Sequence, residues 1–257
     1  MVSAHLLSQT DVIYLDSRNE CAYFNRGIIY KKKGEIQKAF NDYSSAILIN
    51  PNYNEAYNNR GVIYYARGDE DQALKDYNKA IESDSEYPLS YLSRAIIYRN
   101  RGNLEKAIAD YNQVLEIQPN CVEAYVGKGN VYSDNSKFEQ AITEYNQAIE
   151  INPFDHIAFT NRGNAFRKLN NLQQAISNYD KALEINPQYE IAYNNRGVAY
   201  REKDEFEQAA TDFNKAIELN SKYILAYKNR AKVYRKLSRN ELAEKDERIA
   251  EELNSQK

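Results

Sequence analysis

The stretch YNNRGV occurs twice, at Tyr57–Val62 and at Tyr193–Val198. The likeness continues past it, as YNNRGVIYYARGDEDQALKDYNKAIE against YNNRGVAYREKDEFEQAATDFNKAIE. The copies stand 136 residues apart, which is four times 34. A frame of that length opened at Glu20 starts new units at Asn54, Pro88, Val122, His156, Glu190 and Ile224, and the seventh closes at Lys257. Internal repetition at such a period predicts a stacked array.

Each column of the frame has a physical reading. The fourth and eleventh places are aromatic in every unit, for example Tyr57 and Tyr64, or Phe159 and Phe166. The eighth is Gly or Ala, and the twentieth is always Ala, from Ala39 to Ala243. Places 4, 8 and 11 fall on one helical face and places 20, 24 and 27 on another. A turn fits between them at places 14 to 16, and Pro51, Pro119, Pro153 and Pro187 stop the second helix. Each unit is thus predicted to be a helical hairpin whose small residues let two helices approach and whose aromatics fill the surrounding space.

These columns resemble the tetratricopeptide repeat over residues 20–257, seven times in register. The large residue usual before the glycine is replaced here by Arg or Lys, from Arg26 to Arg230. Place 23 lies about as far from the turn on the other side. It holds Asp42, Asp76, Asp110, Glu144, Asn178, Asp212 and Asp246, so the basic column is predicted to pair across each hairpin, with Asn178 the exception. The resemblance implies an all-α fold, a right-handed superhelical solenoid of antiparallel helix hairpins.

The ends follow the same frame. VIYLDSRN (Val12–Asn19) overlays AILINPNY (Ala46–Tyr53), so residues 1–19 are expected to be a capping helix or the remnant of a preceding unit. Leu6, Leu7, Val12, Ile13 and Leu15 would cover the first hairpin. In the last unit Glu244, Glu247 and Glu251 replace mainly apolar residues, as expected of a terminal repeat with a wet outer face.

Composition narrows the function. The chain has 257 residues and a net charge of −3, and no apolar run approaches the ~18 residues of a membrane span. Cys21 and Cys121 form no disulfide framework, and with His5 and His156 they form no metal-ligand cluster. The expectation is a reduced, cytoplasmic protein without metal or cofactor. Every residue past Asn19 is used by the repeat. No Gly-rich phosphate loop and no nucleophile–base set is present, so no enzyme is expected.

In the family, the first helix of each unit lines a concave groove, here through places 2, 5, 6, 9, 12 and 13. Place 6 carries Asn25, Asn59, Asn161, Asn195 and Asn229, interrupted by Ser93 and Gly127. In some superhelical members an asparagine ladder at this place holds the backbone of an extended peptide. An amide both donates and accepts, so it can pair with a peptide unit without reading its side chain. At the interruption Leu89, Leu92, Ile96 and Val126 offer either an apolar anchor pocket or simple packing between neighbours. The other groove places hold ten cations, among them Lys31, Arg99, Arg167, Arg201, Lys228, Lys232 and Arg235, against four acids.

A basic groove on an acidic chain predicts an acidic, extended peptide partner and a scaffolding role. Single-stranded RNA in the same groove and self-assembly through array edges are the competing readings. The tails of cytosolic heat-shock chaperones are not expected as partners. Asn164 and Asn195 fit that pattern, but Thr160, Leu225 and Asn229 stand where it needs Lys, Lys and Arg.

Overall fold

The computed structural model describes the backbone of residues 2–255 and the side chains of residues 9–255. Among them lie fifteen helices and no strand. The chain divides into two compact units, Met1–Ala124 and Tyr125–Lys257. The first holds α1 (Val2–Leu15), α2 (Glu20–Lys32), α3 (Ile36–Ile49), α4 (Asn54–Ala66), α5 (Glu70–Ser83), α6 (Pro88–Asn100) and α7 (Leu104–Ile117). The helix α8 (Val122–Asp134) runs across the division. The second unit continues with α9 (Phe138–Ile151), α10 (His156–Lys168), α11 (Leu172–Ile185), α12 (Glu190–Glu202), α13 (Phe206–Leu219), α14 (Ile224–Lys236) and α15 (Asn240–Ser255).

Three-residue links join the helices of a hairpin, and the chain reverses at a residue in the left-handed region. In the first unit this is glycine: Gly34, Gly68 and Gly102, with φ from +74° to +81°. In the second it is Ser136, Asn170, Asp204 and Ser238, with φ from +57° to +61°. Around Gly34 the amide of Glu35 donates to Tyr30 O at 2.9 Å and that of Gly34 to Lys31 O at 3.0 Å. This pair of bonds satisfies carbonyls that the helix end leaves open.

Five hairpins, those with glycine at place 8, close on the same contact. The place-20 alanines are fully buried, and Tyr43, Tyr77, Tyr145, Tyr179 and Phe213 at place 24 are almost as deep. A ring packs directly on the facing glycine: a Cβ on Gly163 would stand 2.7 Å from Tyr179 Cε1. Only a residue without a side chain admits this approach. Burying one such ring contributes roughly 1.5–3 kcal/mol.

The basic column pairs as expected. Arg26–Asp42, Arg60–Asp76, Arg94–Asp110, Arg196–Asp212 and Arg230–Asp246 are ion pairs of 2.6–2.8 Å, and Lys128–Glu144 closes at 3.1 Å. Two features lie beyond the sequence reading. Each of these arginines sits over the ring of the place-4 residue of its own helix, as Arg196 does over Tyr193 at 5.5 Å. Several also reach the second helix of the preceding hairpin. Arg94 donates to Asn78, Arg162 to Asn146, Arg196 to Asp180 and Arg230 to Asn214, at 2.6–2.7 Å. One guanidinium therefore fastens two successive hairpins.

The cover from α1 is thinner than expected. Ile13 is half-buried, but Val12 and Leu15 are exposed because α1 ends at Leu15 and its last turn projects into water. The side chains of Leu6 and Leu7 lie outside the described residues. At the other end Glu244 and Glu251 are exposed, while Glu247 is half-buried.

Candidate functional site

Places 2, 6, 9 and 13 are four, three and four residues apart and share one face of a helix. In the second unit they are Ile157, Asn161, Asn164 and Lys168 on α10, Ile191, Asn195, Val198 and Glu202 on α12, and Leu225, Asn229, Lys232 and Lys236 on α14. The face grades from apolar at the helix starts, through amides, to charge at the helix ends.

The amides are tied to one another and to the hairpin core. Asn161 Nδ2 donates to Asn130 Oδ1 and Asn195 Nδ2 to Asn164 Oδ1, both at 3.1 Å. Each acceptor also takes a hydrogen bond from a buried tyrosine, Tyr145 Oη to Asn130 Oδ1 and Tyr179 Oη to Asn164 Oδ1, both at 2.8 Å. Burial raises the pKa of the Tyr179 phenol above its ordinary range. The next rung has lost both partners together, with Val198 and Phe213 in their places. There Asn229, only 6% exposed, donates to Asn194 Oδ1 at 3.0 Å and accepts from Arg201 Nη1 at 3.3 Å. Asn229 thus orients Arg201, whereas Asn161 and Asn195 are half-exposed and keep unused donor and acceptor capacity.

The first unit arranges its residues differently. Asn25 is exposed, while Asn59 donates to Glu55 O at 2.9 Å and accepts from Lys31 Nζ at 3.3 Å. Burial lowers the pKa of Lys31. Arg99 lies in the last turn of α6, where Leu89 and Ile96 are exposed and Leu92 is half-buried. Val126 belongs to the second unit and packs against the cluster of Ala141, Tyr145 and Ala165.

Cations gather at the ends of α12 and α14. A cavity of about 600 Å³ is lined by Arg201, Glu202, Asp204, Phe206, Lys232, Arg235 and Lys236. Glu202 is held by Arg167 at 2.7 Å. Arg235 is held by Glu247 at 2.6 Å; the hydrogen bond between them raises the pKa of Arg235 and lowers that of Glu247. Lys228, Lys232 and Lys236 are exposed and have no acidic partner among the described residues. The pairing of Arg235 with Glu247 and the amide network of Asn130 and Asn164 are absent from the sequence reading. The joint appearance of Asn at place 9 and Tyr at place 24 was the available signal for the network.

Residues 27–68, 96–136, 129–168 and 163–204 match the family described as TPR repeat, and residues 55–87, 191–223 and 76–109 match tetratricopeptide-repeat families. The chain belongs to the tetratricopeptide-repeat family. No curated protein matches the chain. Among solved structures, the APC/C hetero-tetramer Cut9–Hcn1 is similar with a TM-score of 0.77 at 18% identity, covering 91% of this chain and 46% of that one. This chain therefore spans less than half the length of that relative. A tetratricopeptide-repeat protein from Parabacteroides merdae gives 0.70 at 22% identity, covering 90% and 91%. YrrB, described as a TPR protein with an unusual peptide-binding site, gives 0.55 at 24% identity, covering 72% and 95%. The tetratricopeptide fold supports a protein-interaction scaffold. Among the described residues no helix is long and apolar enough to cross a membrane.

Proposed function

We propose that this tetratricopeptide array is a non-catalytic scaffold that holds an extended acidic peptide segment against α10, α12 and α14. The observation that carries the reading is the cavity at the ends of α12 and α14, where Lys232 and Lys236 stand beside Arg201, Glu202 and Asp204, are exposed and have no acidic partner among the described residues. The half-exposed amides of Asn161 and Asn195 lie on the same helical face and are aimed by their neighbours, so little freedom is lost when they pair with a peptide backbone. Arg167 and Arg235 are engaged with Glu202 and Glu247, and an incoming carboxylate would exchange with those acids. A cytoplasmic setting belongs to this reading, on the strength of the unpaired Cys21 and Cys121.

Fluorescence anisotropy with labelled acidic peptides, and with poly-U for comparison, tests it. Acidic peptides should bind with an affinity that falls as salt rises. Asn195→Ala should weaken every peptide that binds by about two- to tenfold, since one backbone contact contributes roughly 0.5–1.5 kcal/mol. Lys232→Glu should penalise acidic sequences most and flatten the salt dependence. Affinity unchanged by Asn195→Ala would remove the amides from the site. Tighter binding of poly-U than of any acidic peptide would replace a peptide partner by RNA.

A further inference from the structure

The apolar row at the starts of the same three helices has no role so far. Ile157, Ile191 and Leu225 are 45%, 39% and 50% exposed, all at place 2 of their units. They run beside the amides of Asn161 and Asn195 on the side away from Lys168, Lys232 and Lys236. Place 2 and place 13 are eleven residues apart, or about 16 Å along a helix. A chain lying along the amides would have the apolar row on one flank and, on the other, the lysines of α10 and α14 with Glu202, neutralised by Arg167, between them.

Spacing along the row restricts the conformation of that chain. The first helices are close neighbours, since side chains of α10 and α12, and of α12 and α14, are hydrogen-bonded directly. Helices in such contact lie about 8–10 Å apart. A polyproline II chain returns to the same side every third residue, after about 9.3 Å. A β-strand returns every second residue, after about 6.7 Å, and falls out of step within two helices.

We propose, building on the acidic-peptide reading above, that this face selects a polyproline II segment with an apolar residue at every third position and an acid between. The apolar residues would meet Ile157, Ile191 and Leu225 in turn, and the acids would face the lysines. Charge complementarity fixes the chemistry of the second flank, and the helix spacing fixes the period.

Three nine-residue labelled peptides test this on the full chain by anisotropy: (Leu-Ser-Glu)3, a shuffle of the same composition without the period, and (Ser-Ser-Glu)3. The periodic peptide should bind at least about fivefold more tightly than the shuffle, on the order of one buried aliphatic contact. Ile191→Ser and Leu225→Ser, both at exposed positions, should each erode that advantage and leave (Ser-Ser-Glu)3 unaffected. Circular dichroism of the bound periodic peptide, by difference, should retain polyproline II character. Equal affinity for the periodic and shuffled peptides, with Lys232→Glu still weakening both, would overturn the inference and leave the acidic-peptide reading standing. An advantage untouched by both serine variants would overturn it as well. If none of the three peptides binds, the inference and the reading beneath it both fail.

Discussion

Arg162 Nε donates to Asn178 Oδ1 at 2.7 Å, at the place where each of the six other hairpins sets a carboxylate. Burial lowers the pKa of Arg162, whereas Arg196, facing Asp212 and Asp180, has its pKa raised despite comparable burial. The hairpin of α10 and α11 thus buries a cation against a neutral amide. Asn178→Asp should stabilise the protein by about 1 kcal/mol, because a charge-assisted bond is roughly twice as strong as its neutral counterpart. Chemical denaturation would measure it. A loss of stability would mean that the bond from Asn178 Nδ2 to Gln174 O, which the aspartate cannot make, matters more.

The intact pairs should behave in the opposite way. Arg196 and Asp212 share two hydrogen bonds of 2.8 and 2.6 Å, and the Asp212 side chain is 6% exposed. A double-mutant cycle with alanine at both positions should give a coupling of about 2–3 kcal/mol. A coupling near zero would show that the two columns match without interacting.

Hydroxyl deletions should separate the hairpins. Tyr145 and Tyr179 each bond to an asparagine, but the Tyr43 hydroxyl is buried with no partner among the described residues, and Ile28 stands at the place that Asn130 and Asn164 take. Burial pushes the Tyr43 phenol up to about 12. Tyr179→Phe should cost about 1 kcal/mol, while Tyr43→Phe should be neutral or stabilising. Thermal denaturation of the two variants side by side is the check, and equal losses would refute the distinction.

The turns invite a backbone test. Ser136 and Ser238 hold φ of +57° and +60°, a region costly for residues other than glycine. Ser136→Gly and Ser238→Gly should each stabilise by roughly 0.5–1 kcal/mol, and Gly68→Ser should destabilise by a similar amount. Unchanged denaturation midpoints in all three would show that local bonds already offset the strain.

The Arg235–Glu247 pair predicts a pH effect. The carboxyl of Glu247 is held below the ordinary glutamate range by the hydrogen bond from Arg235. Since the folded value is the lower one, the contribution of the pair is present above the unfolded glutamate range and is lost as pH falls through the folded value. Carboxyl-detected NMR should find Glu247 protonating at lower pH in the unaltered protein than in Arg235→Ala. The same Glu247 midpoint in both proteins would dissolve the pair.

The hairpins were legible because a 34-residue period exposes columns. Ala at place 20 and the charge match of places 7 and 23 need no structure to be seen. The amide network was less legible, because Asn164 and Asn195 are 31 residues apart and each residue type is unremarkable alone. Nor could the ladder itself be sorted by exposure. Asn195 and Asn229 occupy the same column, but only Asn229 is covered, through Arg201 and Asn194. The thin cover from α1 was not legible because an apolar pattern records what could be buried, and Leu15, in the last turn of α1, is left exposed.

The arginine that fastens two hairpins has a mechanical consequence. Within their own hairpins Arg94, Arg196 and Arg230 are anchored by paired bonds to one carboxylate and Arg162 by one bond to Asn178, but the grip on the preceding hairpin is a single bond, to neutral Asn78, Asn146 or Asn214 and to charged Asp180 in one case. Under tension such a chain of rigid links should give first at its junctions, with the hairpins still folded. The junction of α12 with α11, closed by Asp180, should be the stiffest of those named. The array would then act as a graded spring, whose compliance is written one residue at a time at place 25.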